Sequence, residues 1–458
     1  MKRSYEIDMC NGPLFSRLLL FALPLMLSGI LQLLFNAADI VVVGQFAGSN
    51  AMAAVGSTSS LINLLVNLFI GISVGANVLV ARYYGSRSPE DVEQTVHTAL
   101  ITGFIGGFVL IAIGIPAARP MLELMGTPAD VLDQAVLYMR IYFIGMPATM
   151  LYNFGAAVLR ASGDTRRPLY FLFVAGVVNV IFNLFFVIVL HMDVEGVAIA
   201  TVISQFISAG LIILCLVRME GMCHLDFSRL RFHITKFKQI LRIGVPAGLQ
   251  GILFSISNVL IQSSINSFGS TVVAGNTAAS NIEGFVYTSM NAIYQTSLSF
   301  TSQNMGAKNY HRVDKVLIQC ELLVAAIGLV LGNGAYLLGN QLLGIYSGDA
   351  QVIAYGLQRL SICCASYFLC GVMDVLAGSI RGLGYSIVPM LITFTGICLF
   401  RVVWVFTAFP WHPSLFTIYI SYPISWLVTI VANLTCYLVA RRHAFHPKEE
   451  GMPAATSV

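Results

Sequence analysis

Long apolar runs dominate the chain and recur at nearly regular intervals. The first starts at Leu14 and passes Val43. It is longer than the core of a signal peptide and has no small-residue cleavage site after it, so it reads as a retained membrane span. Runs of about 20 or more mostly apolar residues then centre near Leu65, Phe108, Met146, Phe182, Ser204, Asn258, Tyr294, Ile327, Cys364, Thr395 and Leu427. With the first they predict an all-α polytopic membrane protein of twelve transmembrane helices. Glycines at Gly71 and Gly75, and at Gly103 and Gly107, have the spacing that lets two helices approach closely. The second pair is no dinucleotide loop, because it lies inside an apolar span and not at a strand-to-helix turn.

Composition agrees with that pattern. Hydrophobic residues make up 57% and charged residues 10%, with a mean hydropathy of +0.81, where soluble proteins carry about 25% charged residues. A set of soluble domains, a collagen, a disordered chain and a disulfide scaffold are excluded, the last because the nine cysteines lie mostly in apolar runs. The net charge of +4 is too small to suggest nucleic acid, so the placement of the charges matters more than their sum. All but four of the 25 Lys and Arg residues sit at the chain ends, from Lys2 and Arg3 to Lys448, or in alternate gaps between spans. The exceptions are Arg119, Arg140, Arg359 and Arg401. An even number of spans and this bias place both termini in the cytoplasm. The stretch 218–242, with Arg229, Arg231, Lys236 and Lys238, reads as a cytoplasmic linker between an N-terminal lobe, 1–217, and a C-terminal lobe, 243–441. A cytoplasmic tail, 442–458, follows.

The two lobes are related in sequence. At an offset of 221 or 222, Pro24, Gly29 and Asn36 meet Pro246, Gly251 and Asn258; Gly85 meets Gly306; and Arg160, Gly163 and Pro168 meet Arg381, Gly384 and Pro389. The matches fall at equivalent helix starts and turns. Each half therefore has six helices, and six is even, so the halves run in the same sense about an axis along the membrane normal. Two such bundles around a central cleft can rock against each other, as alternating access requires.

Ionisable side chains inside apolar spans cost about 2.5 to 3.5 kcal/mol each on insertion scales and need a partner or a purpose. Asp39, Glu283, Asp374 and Arg401 stand out. Counting helix rise, Asn179 lies about 17 Å and Asn183 about 22 Å along the fifth span, and Thr201 and Asp39 reach a similar level. These four form a group of hard oxygen donors able to hold Na⁺, or a carboxyl able to exchange a proton. In the second half Glu283 and Arg401 agree in depth and are expected to form an ion pair. Arg401 aligns with Val180, next to Asn179, which disfavours a duplicate cation site there. Asp374 aligns with Asn153, and with Asn36 these residues are expected to contribute to the substrate cleft or to a second-lobe polar network. No Walker A, HExxH or GxSxG motif is present, and Cys363, Cys364 and Cys370 lack metal-ligand spacing. No catalytic residue and no cofactor are expected.

With these residues placed, the chain resembles the multidrug and toxic compound extrusion (MATE) family of the flippase superfamily, from about Gly12 to Arg442. The resemblance rests on the Pro24 to Asp39 stretch, on LRASGDTRRP after the fourth span, on VNVIFN in the fifth and on GVAIATVISQ in the sixth. It implies export of amphipathic, often cationic organic compounds by antiport with H⁺ or Na⁺. Asp39 matches the acid of the family's first helix, Asn179 its fifth-helix amide and Thr201 its sixth-helix hydroxyl. Asn183 departs from the pattern, since relatives often carry an acid there. The expected partners are small organic substrates and membrane lipids without nucleic acid, for a monomer in the bacterial cytoplasmic (inner) membrane. A lipid-linked saccharide flippase of the same superfamily, with a more cationic cleft, is the alternative.

Overall fold

The computed structural model describes residues 5–445; Lys2, Arg3 and Lys448, with most of the expected tail, lie outside the described residues. Every regular element described is helical. The first lobe comprises α1 (Leu14–Phe46), α2 (Ser49–Gly85), α3 (Pro89–Leu124), α4, α5 (Arg166–Val189) and α6 (Val194–Arg218). The second comprises α7 (Ile234–Asn266), α8 (Ser270–Gly306), α9 (Tyr310–Leu337), α10, α11 (Ile387–Trp411) and α12 (Leu415–Phe445). Both α4 and α10 are broken spans. Ala129–Ile144 and Met146–Ser162 meet at 50°, next to Pro147 in the first turn of the second piece. In α10, Ala350–Cys364 and Phe368–Gly382 meet at 42°, after a π-helical turn at Leu360–Cys364.

The apolar pattern marks eleven of these spans on their own, counting each bent pair as one. The twelfth, α8, has 37 residues and length to spare, but it is too polar to pass as a span by composition. Burial explains this. Thr296, Ser297, Ser299, Thr301 and Ser302 of α8 are fully buried, so the helix faces protein and needs no lipid-compatible surface. α7 begins at Ile234, inside the stretch expected to be linker, and Lys236 in its first turn bonds Asp91 at the start of α3 at 2.5 Å.

The repeat is visible as reciprocal contacts. Arg82 Nη2 donates to the Gly382 carbonyl at 3.0 Å, and Gln303 Nε2 donates to the Ala161 carbonyl at 3.2 Å. Residues 82 and 303 are equivalent under the 221 offset, as are 161 and 382. Gly85 backs on the main chain of Gln303, and Gly306 on that of Arg82. Between these contacts Gly71 lies against Gly248 and Gly75 against Gly244, with no room for a Cβ at any of the four. All these approaches fall toward the face that carries both described chain ends. Nearer the opposite face, Gly56 and Gly284 meet nothing within 4 Å. The lobes are thus closed on the basic face.

The segment before α1 straps that closure. Ile7 N–H donates to the Gly163 carbonyl at 3.1 Å and Tyr84 Oη to Glu6 at 2.9 Å, both in the first lobe. On the other side Arg312 of α9 donates to the carbonyls of Met9, Asn11 and Gly12 at 2.9 to 3.0 Å. α1 follows the same course: Leu14, Leu18, Phe21 and Ala22 are buried in the core of the second lobe.

Two outcomes follow. Gly75→Leu forces a side chain into a backbone-to-backbone contact, and overpacking of this kind costs about 1 to 3 kcal/mol; the melting temperature of the purified protein should fall, while Gly56→Leu should leave it nearly unchanged. Burial holds the Glu6 carboxyl above its usual pKa, with the Tyr84 hydrogen bond and nearby Arg167 opposing in part. An acid raised in the folded state binds more protons there, so its contribution is fullest below the ordinary glutamate value of about 4.3 and declines as pH rises through the folded value. The stability of Glu6→Gln relative to the wild type should therefore improve from about pH 4 to pH 7, read as melting temperature in detergent.

Candidate functional site

Two polar cavities lie inside the lobes. The first, of about 250 Å³, is formed by α1, α4, α5 and α6 and is lined by Asn36, Asp39, Asn153, Asn179 and Thr201, among others. Asp39 stands about 38 Å along α1 and is 9% exposed. Asn183 Nδ2 donates to Asp39 Oδ1 and also to Asn179 Oδ1, the latter at 3.2 Å. Asn179 Nδ2 donates to Thr201 Oγ1 at 3.3 Å, and that hydroxyl donates to the Val197 carbonyl at 2.9 Å. The four residues expected to meet form one connected chain of hydrogen bonds. No ion pair among the described residues involves Asp39. Local structure sets this up: Asn179 and Asn183, one turn apart, share a face of α5, and Gly176 lets α1 approach through Phe35. A π-helical turn at Phe185–Val189 follows directly.

The oxygen set suits a monovalent hard cation as well as a proton. Asn183 Oδ1 is buried and has no partner, an acceptor available to a cation. As arranged, Asn183 offers its N–H to the carboxylate, and ligation of Na⁺ would turn that amide so its oxygen joins Asp39. A proton on Asp39 needs no such turn. Among the described residues no group of three or more His, Cys, Asp or Glu side chains could hold a metal ion.

The second cavity, of about 620 Å³, lies in the second lobe and touches Asn67 of α2. Its charges are arranged differently from expectation. Glu283 pairs with Arg359 and not with Arg401: Arg359 Nε and Nη2 reach the two carboxylate oxygens at 2.9 and 2.8 Å, and Nη1 donates to Asn276 Oδ1 at 2.6 Å. The cause is the start of α10. Asp349 caps it by accepting from Gln351 N–H, so Arg359, one of the four basic residues outside the basic gaps, lies nine residues inside a helix, about 14 Å from its end. That capping aspartate was the available signal. Arg401 donates instead to Ser425 Oγ at 3.2 Å and Asn258 Oδ1 at 3.3 Å, and lies 4.2 Å from the centre of the Tyr422 ring. Asp374 lines this cavity, as does Arg381, which donates to Tyr294 Oη at 2.7 Å and to Gln250 Oε1. Asn36 and Asn153 belong to the first cavity and not to a second-lobe network. Glu321, in α9, was not singled out from the sequence, and both its carboxylate oxygens are buried without a partner.

Two parallel six-helix lobes, closed on one face and each holding a polar cavity within the membrane span, have the build of a secondary transporter. The MatE family model matches residues 24–185 and 246–407, two segments displaced by the offset of the internal repeat. The chain belongs to the MatE family, whose members are membrane transporters and not enzymes. It is 31% identical over 389 residues to the probable multidrug resistance protein YoeA of Bacillus subtilis, covering 82% of this chain and 83% of that one. It is also 24% identical over 379 residues to the FAD transporter of Shewanella oneidensis, covering 81% and 83%. An outward-facing multidrug resistance MATE transporter of the MOP superfamily has the same fold, with a TM-score of 0.87 at 21% identity over 97% of this chain and 99% of that one.

Breaking the buried Glu283–Arg359 pair leaves a charge without a partner, at a cost of about 3 to 5 kcal/mol. Arg359→Gln should lower the melting temperature strongly, and Glu283→Gln on that background should restore part of the loss. Equal and additive effects of the two substitutions would show that the pair is not coupled.

Proposed function

We propose that the protein exports amphipathic organic compounds, cationic ones among them, by antiport with H⁺ or Na⁺ taken up at Asp39. The observation that carries this reading is the hydrogen-bonded group Asp39, Asn183, Asn179 and Thr201: an acid within the span with no basic partner among the described residues, surrounded by side chains that serve its charged and its neutralised form. The names of relatives favour drug export, yet one of them is an FAD transporter, so family membership leaves the cargo open.

In the proposed cycle the basic face is cytoplasmic, as the Lys/Arg bias favours, in a bacterial cell membrane with the protein acting as a monomer. The closed seam then seals the inner side. A cation arriving from outside neutralises Asp39 and relaxes its hold on Asn183. α1 carries Asp39 in the first lobe and packs its other end in the core of the second, so a change at Asp39 bears on both lobes. Cargo leaves outward as the outer cleft narrows. Membrane potential assists, since inward movement of one charge is worth about 2.3 kcal/mol per 100 mV.

Dye efflux from proteoliposomes under an imposed pH or Na⁺ gradient tests this. Asp39→Asn should abolish gradient-driven transport while the protein stays folded, and comparison of the two gradients in the wild type identifies the ion. Undiminished gradient-driven efflux in the mutant would refute the role of Asp39.

A further inference from the structure

The charges that line the second cavity balance, and an extra positive charge stands against its wall. Two acids, Glu283 and Asp374, and two arginines, Arg359 and Arg381, line the cavity, whereas Arg401 contacts it through the lining residues Asn258 and Tyr422, so with both acids ionised the whole group sums to +1. Glu283 is neutralised by its bidentate partner. Arg381 remains in the cavity wall with Asp374. Arg401 is the surplus: it is 1% exposed, takes part in no ion pair among the described residues, and its Nη2 has no partner. A guanidinium buried without a counter-ion is costly and raises the potential of the low-dielectric space around it.

Arg401 also fixes Asn258. An arginine can only donate, so it must meet the amide oxygen, and it does so at 3.3 Å. The amide nitrogen of Asn258 is thereby directed away from Arg401, and Asn258 lines the cavity. Other unmet hydrogen-bonding atoms of the lining point the same way: Arg381 Nε and Trp426 Nε1 are buried donors without acceptors. Rings of Phe254, Tyr287, Tyr294, Tyr367, Tyr422 and Trp426 make up much of the remaining wall. Flat apolar surface with spare donors and a surplus positive charge fits an aromatic body carrying an anionic group.

We infer that the second-lobe cavity binds the anionic group, such as a carboxylate, of an aromatic amphipathic compound, with Arg401 acting as a positioning and charge-setting residue through Asn258. This deepens the export reading by naming the chemistry of cargo at that cavity. It does not depend on coupling at Asp39, because binding can be measured without a gradient.

The experiment uses the purified full chain in nanodiscs and two probes, a rhodamine dye with a free benzoate and the methyl ester of the same dye, followed by fluorescence anisotropy. The wild type should bind the free acid roughly tenfold more tightly than the ester, the size expected of a hydrogen bond to a charged group. Arg401→Gln should remove that preference, Arg401→Lys should keep its sign, and Asn258→Asp, which gives Arg401 a counter-ion, should turn it toward the ester. Melting temperatures confirm folding, and the Asp39→Asn protein should show the wild-type preference even where its transport has failed. Equal binding of acid and ester by the wild type, or an acid preference that survives in folded Arg401→Gln and Asn258→Asp, would overturn the inference.

Discussion

The main chains of α2 and α7 touch, and the rest of the architecture depends on that contact. Gly71, Gly75, Gly244 and Gly248 leave no space for a Cβ, so the two lobes meet backbone to backbone along one half of the bundle. In lipid there is little hydrophobic drive between helices, and close packing of small residues takes its place. A seam of this kind is strong when closed and loses its contacts together when the backbones separate. Its energy is therefore suited to a two-state rocking motion, because packed interfaces switch and do not deform gradually. The reciprocal bonds from Arg82 to Gly382 and from Gln303 to Ala161 close the same face under the pseudo-two-fold relation.

Duplication gave the two lobes one scaffold and different interiors. At equivalent depth the first lobe has Asn179 and Asn183 beside a lone acid, whereas the second has Arg401 and the Glu283–Arg359 pair. A buried bidentate pair resists exchange, since both carboxylate oxygens of Glu283 are already bonded. Asp39 receives one neutral amide donor and can release it. The geometry thus leaves Asp39 easier to neutralise than Glu283, and the two lobes hold separate polar cavities.

Much of this was legible in the sequence. All twelve spans followed from apolar run length, the parallel repeat from Pro24, Gly85 and Arg160 with their partners, and the first-lobe group from helix rise alone. What the sequence hid has physical causes. The Glu283–Arg401 pairing failed because depth fixes only one coordinate. Rotation about the helix axis decides which side chains meet, and the π-helical turns at Leu360–Cys364 and Phe394–Leu399, beside Arg359 and Arg401, shift that rotation in a way no 3.6-residue count anticipates.

The strap before α1 ties these levels together. It is short and polar, and Arg312 holds it through three main-chain carbonyls and not through side chains. Such bonds depend on the path of the backbone and tolerate changes in sequence, so the strap acts as a spacer of fixed geometry between Gly163 of one lobe and α9 of the other. α1 then continues from the strap into the second-lobe core and carries Asp39 toward its other end in the first. Opening the closed face must either release the strap or bend α1, and Pro24 removes one hydrogen bond, to the carbonyl of Leu20, near the end of the second-lobe anchor. The weakest point of α1 therefore lies where a change of charge at Asp39 and a separation of the lobes can be accommodated by the same bend.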